Sequence, residues 1–305
     1  DVLDSAVNIL SGGDQVLDNL GIDVVTVSDG PVSAADGAAI NAFTAEVEFD
    51  VDATASQLAT EVAGSNVGDE LDEANSVVVA SGGPDVTAEE AHAIQDISGY
   101  VGTQSDYDIS DSAANLISAG NHVLDVSGIT SISVDDGPAT ASEGAALNSL
   151  NPAITFDVTD TADKIADEVS GNGKTGTELD EAGVVRASAG GSISDAPVSA
   201  DEAEAIQNIT GYDASGSSYE IEDNAAELIS ATDAVLNDLG VSNVEVINGV
   251  NGGDEVTAVD GATLNSFSAE IDFDVIGTAQ AIAAEVTGIG NASTDLDDAG
   301  RIFVT

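Results

Sequence analysis

The sequence has 305 residues, with no cysteine, methionine or tryptophan and only four lysines and arginines together. The absence of cysteine rules out disulfides, thiolate metal sites, iron–sulfur clusters and cysteine nucleophiles, so thiol chemistry does not fix the compartment. Without methionine the sequence offers no initiator, and the segment is expected to belong to a longer chain. Four cations against 57 acidic residues give a formal net charge of −53, from which no phosphate-binding surface can be built. Nucleic acid and anionic membrane surfaces are therefore excluded as partners. No apolar run approaches the roughly 20 residues of a bilayer span, so direct membrane insertion is not expected.

What is present points to a folded chain. Hydrophobic residues make up 42% of it and the mean hydropathy is +0.10, more apolar surface than disordered acidic chains carry. The sequence also repeats. YDISDSAANLISA at Tyr107 returns as YEIEDNAAELISA at Tyr219, a shift of 112, and AIQDISGY ending at Tyr100 returns as AIQNITGY ending at Tyr212. FDVDATASQL from Phe49, FDVTDTADKI from Phe156 and FDVIGTAQAI from Phe273 form a further set. These periods of 107 to 117 residues divide the chain into unit 1 (1–106), unit 2 (107–218) and an incomplete unit 3 (219–305).

Two shorter motifs alternate within the large period. One reads Asp/Ala/Gly-Ser/Thr/Asn-Ala-x-x-Ile/Leu, as at Asp4–Ile9 and Asp111–Leu116. The other reads Ser/Thr-x-x-Asp/Glu-Gly/Ala-x-x-Ile/Leu, as at Ser33–Ile40, Thr87–Ile94, Thr140–Leu147, Ser199–Ile206 and Thr257–Leu264. Both predict helix starts, with a hydroxyl or carboxylate accepting from first-turn N–H groups and an acid three positions on completing a capping box. Apolar residues at helical spacing follow, for example Ala113, Leu116, Ile117 and Val123. Short β-favouring runs precede the helices: 24–27, 47–51, 77–79, 107–109, 129–134, 154–158, 184–186, 244–247, 271–275 and 302–304. Strand and helix thus alternate in βα steps of about 27 residues, which predicts parallel strands with helical crossovers. The expected fold is α/β, a repetitive βα solenoid of short parallel strands and short capped helices; tandem small α/β domains of about 110 residues are the alternative.

A site built into the repeat should recur in it. His92 corresponds to Glu204 and His122 to Ala234, so a repeated histidine site is absent, and no serine stands in a recognisable nucleophile setting. Nothing marks the chain as an enzyme. Carboxylates far outnumber cations, and calcium, which takes several hard oxygen ligands, is the cofactor they would suit. The candidate metal residues are Asp29, Asp135, Asp136, Asp254 and Glu255, all in Gly-containing stretches between a strand and a capped helix start. A plain acidic turn that caps a helix accounts for the same residues. Asp50 and Asp52, with Asp157 and Asp160, form a second set.

The Tyr-x-Ile-x-Asp-Ser/Thr-Ala-x-x-Leu motif, in YDISDSAANLI and, with Asn in the Ser/Thr place, YEIEDNAAELI, resembles the repeat arrays of very large secreted bacterial surface proteins, common in cyanobacteria and other Gram-negative bacteria. FDVTDTADKIADEV and the Val-Ser/Thr-Ala-x-Glu-Ala segments extend the resemblance over nearly the whole chain. It implies an extracellular or cell-surface location and a structural or adhesive role, often beside calcium-binding repeats, although the glycine-rich nonapeptides of such repeats are absent here. The expectation is a segment of a surface layer, filament or giant adhesin, associating with itself head-to-tail because the sequence opens and closes inside strands. The alternative is an extracellular module that recognises a cell-surface glycan or a protein on its exposed face.

Overall fold

A computed structural model of the protein describes residues 2–13, 16–17, 24–62, 71–188, 196–250, 252–287 and 296–305. It is a mixed α/β structure of short parallel strands and short helices in two compact units. One comprises Asp1–Gly137 with Ser149–Thr155, the other Pro138–Asn148 with Phe156–Thr305.

In the first unit, β1 (Val2–Asp4), β2 (Val25–Val27) and β3 (Val47–Glu48) form a parallel ladder with Val2, Val25 and Val47 side by side. A second ladder runs through β4 (Asp50–Thr54) and β5 (Ser76–Ala80), extended by single bridges from Val32 to Val51 and from Val77 to Tyr100. The third comprises β6 (Tyr107–Asp111) and β7 (Ile129–Val134), extended to Val86 and Thr155. Each residue thus pairs with one 19 to 26 positions further on. The helices lie between the rungs: α1 (Ala6–Gly12), α2 (Ala34–Asn41), α3 (Ala55–Val62), α4 (Ala88–Gln95), α5 (Ala113–Ala119) and α6 (Asn121–Leu124).

The second unit repeats the scheme. Its ladders run from Ala139 through β8 (Val158–Thr161) and β9 (Val185–Ser188) to Tyr212, and from Val198 through β10 (Tyr219–Asp223) and β11 (Val241–Val246) to β13 (Ile271–Asp272). A third joins β12 (Glu255–Val256), β14 (Asp274–Gly277) and β15 (Ile302–Val304). Its helices are α7 (Ala141–Asn148), α8 (Ala162–Ser170), α9 (Ala200–Gln207), α10 (Ala225–Ser230), α11 (Asp233–Leu236), α12 (Ala258–Leu264) and α13 (Ala279–Thr287).

The helices form where the motifs place them. Ser5, Ser33, Thr87, Ser112, Ser199, Asn224 and Thr257 each cap a helix with a side-chain oxygen. Thr87 with Glu90 and Ser199 with Glu202 make full capping boxes, and Thr140 with Glu143 makes the same reciprocal pair. Apart from the four-residue α6 and α11, each of these helices has alanine as its first residue and is six to nine residues long, well below the ~12–15 that an isolated helix needs in water. Their stability therefore comes from caps and from packing between steps.

Two packing schemes recur. In one, a phenylalanine lies against a helix glycine: Phe49 on Gly37, Phe156 on Gly144 and Phe273 on Gly261, where an added Cβ would come within 3.2 to 3.4 Å of the ring. In the other, Ala91 or Ala203 takes the glycine's place and is fully buried, and the helix ends in a glutamine. Gln95 Nε2 donates to Tyr107 Oη (2.9 Å) and to the Val123 carbonyl (3.0 Å), and Gln207 donates identically to Tyr219 and Val235.

Three details differ from expectation. The run from Ala113 to Val123 is not one helix, because Gly120 (φ 64°) breaks it and Val123 is buried from the separate α6. Short strands at Tyr219–Asp223 and Glu255–Val256 add to the expected set. The step is also not uniform. It shortens to 19 where a turn is extruded between rungs, as between Thr26 and Val32, whose partners Glu48 and Val51 lie closer together. In that turn and its copy, Gly30 (φ 98°) and Gly137 (φ 108°) adopt backbone angles that side chains disfavour, each directly before a proline.

Candidate functional site

A second recurring feature is a carboxylate reaching back from one step to the helix start of the step before. Asp29 accepts from the Ala6 N–H (2.9 Å), Asp111 from Ala88 (3.0 Å), Asp136 from Ala113 (3.3 Å), Asp160 from Ala141 (3.0 Å) and Asp223 from Ala200 (3.2 Å). Each acceptor meets the first N–H of a helix, one of the orphan donors of its N-terminus, where the helix dipole favours an anion. The small alanine lets the two steps approach this closely. Asp111, Asp160 and Asp223 also use their other oxygen to hold the next residue's N–H, at Ser112, Thr161 and Asn224. A single carboxylate therefore clamps two helix starts.

Other recurring polar groups are committed in the same way. Asn41, Asn148 and Asn265 accept from Glu73, Glu181 and Asp298 N–H groups. Ser105 and Ser217 accept from Val79 and Ala187 N–H groups while donating to the Val101 and Asp213 carbonyls. The Tyr100 hydroxyl donates to the Ser127 carbonyl and Tyr212 to Asp238. These recurring groups are spent on joining steps.

The five acids expected to hold calcium are dispersed among several places. Asp29 and Asp136 cap Ala6 and Ala113. The Asp135 N–H bonds to the Asp111 carbonyl. The Asp254 carbonyl accepts from the Asp274 N–H, and Glu255, in β12, has a buried Oε2 without a hydrogen-bond partner. Among the described residues, no three His, Asp or Glu side chains are grouped so as to hold a metal ion. Of the second set, Asp160 is a cap, and Asp50 and Asp157 are exposed while their counterpart Asp274 is buried against Arg301 at 2.8 Å.

Like charges meet on adjacent rungs of the second unit, where Glu222, Glu245 and Asp272 stand side by side. Partial burial, and then the charges of Glu222, Asp272, Asp254 and Glu220, raise the Glu245 carboxyl above the ordinary glutamate range. Elsewhere the carboxylates are favoured. The Asn8 side chain and the Ser5 N–H hold Asp4 below its usual range, and the Ser215 hydroxyl followed by Arg186 does so for Asp213. Arg186 and Asp213 pair at 2.8 Å where the earlier repeat has Val78 and Val101. The two lysines pair with Asp163 and Glu168, so all four cations are committed.

The exception to this bookkeeping is the pair of histidines. His92 on α4 and His122 on α6 lie edge to face with ring centres 5.7 Å apart. They line an open cleft of about 370 Å³ together with Glu89, Asp111, Asn115 and Ser118. Sequence comparison of the repeats shows that both are departures from the pattern; that they meet follows from the stacking of α4 on α5 and α6. Compared with protein-family models, with curated proteins and with solved structures, the chain matches none.

Proposed function

We propose that the chain is a structural, non-enzymatic segment of an extracellular repeat array, in which successive βα steps stack as a solenoid and whole segments associate head-to-tail. The cross-step carboxylate bond carries this reading, since it appears at five helix starts and each time holds one step to the next. Most aromatic residues are likewise occupied: Tyr107, Tyr219, Phe49, Phe156 and Phe273 are buried, and Tyr100 and Tyr212 are hydrogen-bonded. A glycan-binding platform finds no support in them. Self-association is favoured by the outer strands β1 and β15 of their sheets, on which Leu3, Ile302, Phe303 and Val304 are 71%, 45%, 40% and 65% exposed. Such edges template further strands, from an adjoining segment of the same chain or from a second copy.

Sedimentation velocity and negative-stain microscopy over rising concentration test this. Linear oligomers that disappear with Leu3→Lys or Phe303→Lys are the expected result. A monomer at every concentration would overturn head-to-tail association.

A further inference from the structure

We propose that His92 and His122 chelate one borderline divalent transition-metal ion, of the nickel, copper or zinc type, at the mouth of the cleft between α4 and α6. They are the chain's two histidines, and the fold brings both rings to a distance that suits a shared ion. With a metal–nitrogen bond of about 2.0–2.1 Å, a ring centre sits about 3.2 Å from the metal, so two rings on one tetrahedral ion stand about 5.2 Å apart. The observed 5.7 Å needs only a slightly wider angle at the metal or a small side-chain rotation. Both residues are exposed, so the ion can enter, and water fills the remaining coordination positions. Asp96 Oδ2 lies 3.6 Å from His92 Nε2, and Glu89 and Asp111 line the same cleft, so negative charge surrounds the seat. Imidazole selects this class of ion over calcium and magnesium, which the chain's many carboxylates would otherwise attract.

The repeat supplies an internal comparison. Thr87, Ala88, Asp111 and Val123 have counterparts Ser199, Ala200, Asp223 and Val235, whereas His92 and His122 are replaced by Glu204 and Ala234. Glu204 and Ala234 are exposed on α9 and α11. The fold is thus built in the second unit without imidazoles at these positions, and the packing in the first does not call for them.

The test is calorimetric titration of the full chain with nickel chloride in excess calcium chloride. One calcium-resistant equivalent is expected, weakened on the order of tenfold or more by His92→Ala or His122→Ala. Adding Glu204→His with Ala234→His to the wild-type chain should create a second equivalent. Unchanged nickel binding in the double alanine variant would assign it to carboxylates and overturn the proposal. So would the absence of calcium-resistant binding, or a Glu204→His/Ala234→His chain that gains nothing.

Discussion

Asp111 and Ala88, twenty-three residues apart, are joined by a buried hydrogen bond of 3.0 Å from the alanine N–H to Oδ2, while Oδ1 holds Ser112 and Asn115. Asp111→Ala strands these donors and should cost about 2 kcal/mol. Asp111→Asn keeps one acceptor oxygen and should cost roughly half that. Urea denaturation measures both. Equal, negligible losses would show that the cross-step bond contributes nothing.

Caps should matter more than surface charge. Thr140→Ala and Ser199→Ala each remove the oxygen that receives an N3 N–H, at about 1 kcal/mol. Neutralising the exposed Glu89 or Glu204 should leave stability unchanged or slightly raised, since it relieves self-repulsion. Melting temperatures in the reverse order would contradict the capping assignment.

The glycine and alanine steps should not be interchangeable. A Cβ on Gly144 would meet Val158 Cγ2 at 2.7 Å and Leu179 Cδ2 at 3.1 Å, an overpacking cost of about 1–3 kcal/mol against a helix-propensity gain of about 1 kcal/mol. Gly144→Ala should therefore be neutral to destabilising. Ala203→Gly, which opens a gap at a fully buried site, should lose at least about 1 kcal/mol. A clear gain from Gly144→Ala in chemical denaturation would refute the packing account.

Glu245 carries a pH signature. Its folded-state pKa is raised, so its charged form weakens the fold above that pKa and the penalty vanishes as the pH falls through it to the ordinary glutamate value. Glu245→Gln should thus stabilise at neutral pH by about 0.5 kcal/mol, the size of a like-charge cross-strand pair. The gain should fade on acidification. Asp4 and Asp213 have lowered pKa values, so their contribution is full above the unfolded aspartate value and is lost as the pH falls through the lowered one. A Glu245→Gln gain that grows toward acid would invert the assignment.

Because Asp29 and Asp136 already accept N–H bonds, we propose that calcium acts at the turns as a counter-ion and not inside a closed ligand cage. Calcium and magnesium at equal concentration should then raise the melting temperature alike. Selective stabilisation by calcium would point instead to a coordinated site.

The parts of this structure legible in the sequence are those written in local chemistry. Ser33, Thr87, Thr140, Ser199 and Thr257 announce helix starts because a cap and its N3 partner lie three residues apart. Val77, Val79, Ile109 and Ile132 announce strands because they lie in short runs of β-favouring residues. The second role of Asp111 or Asp223 was not legible, since it depends on which residue the stacking places opposite, 23 positions away. The break at Gly120 was hidden by a correct apolar spacing that happens to continue across it. The histidines show the same limit: their departure from the repeat is visible in the sequence, but their encounter is set by packing between helices.

The ladder geometry has a mechanical consequence. Each rung within a unit is held to the next by a few parallel hydrogen bonds, joined at five places by a carboxylate clamp, so tension applied across a ladder loads its rungs in series. The weakest rung yields first, and its neighbours keep their own bonds. Each released step would pay out some 23 residues of chain, on the order of 75 Å. Under load, such a segment would lengthen in small, separately reversible increments and dissipate work at each one, behaving as a shock absorber.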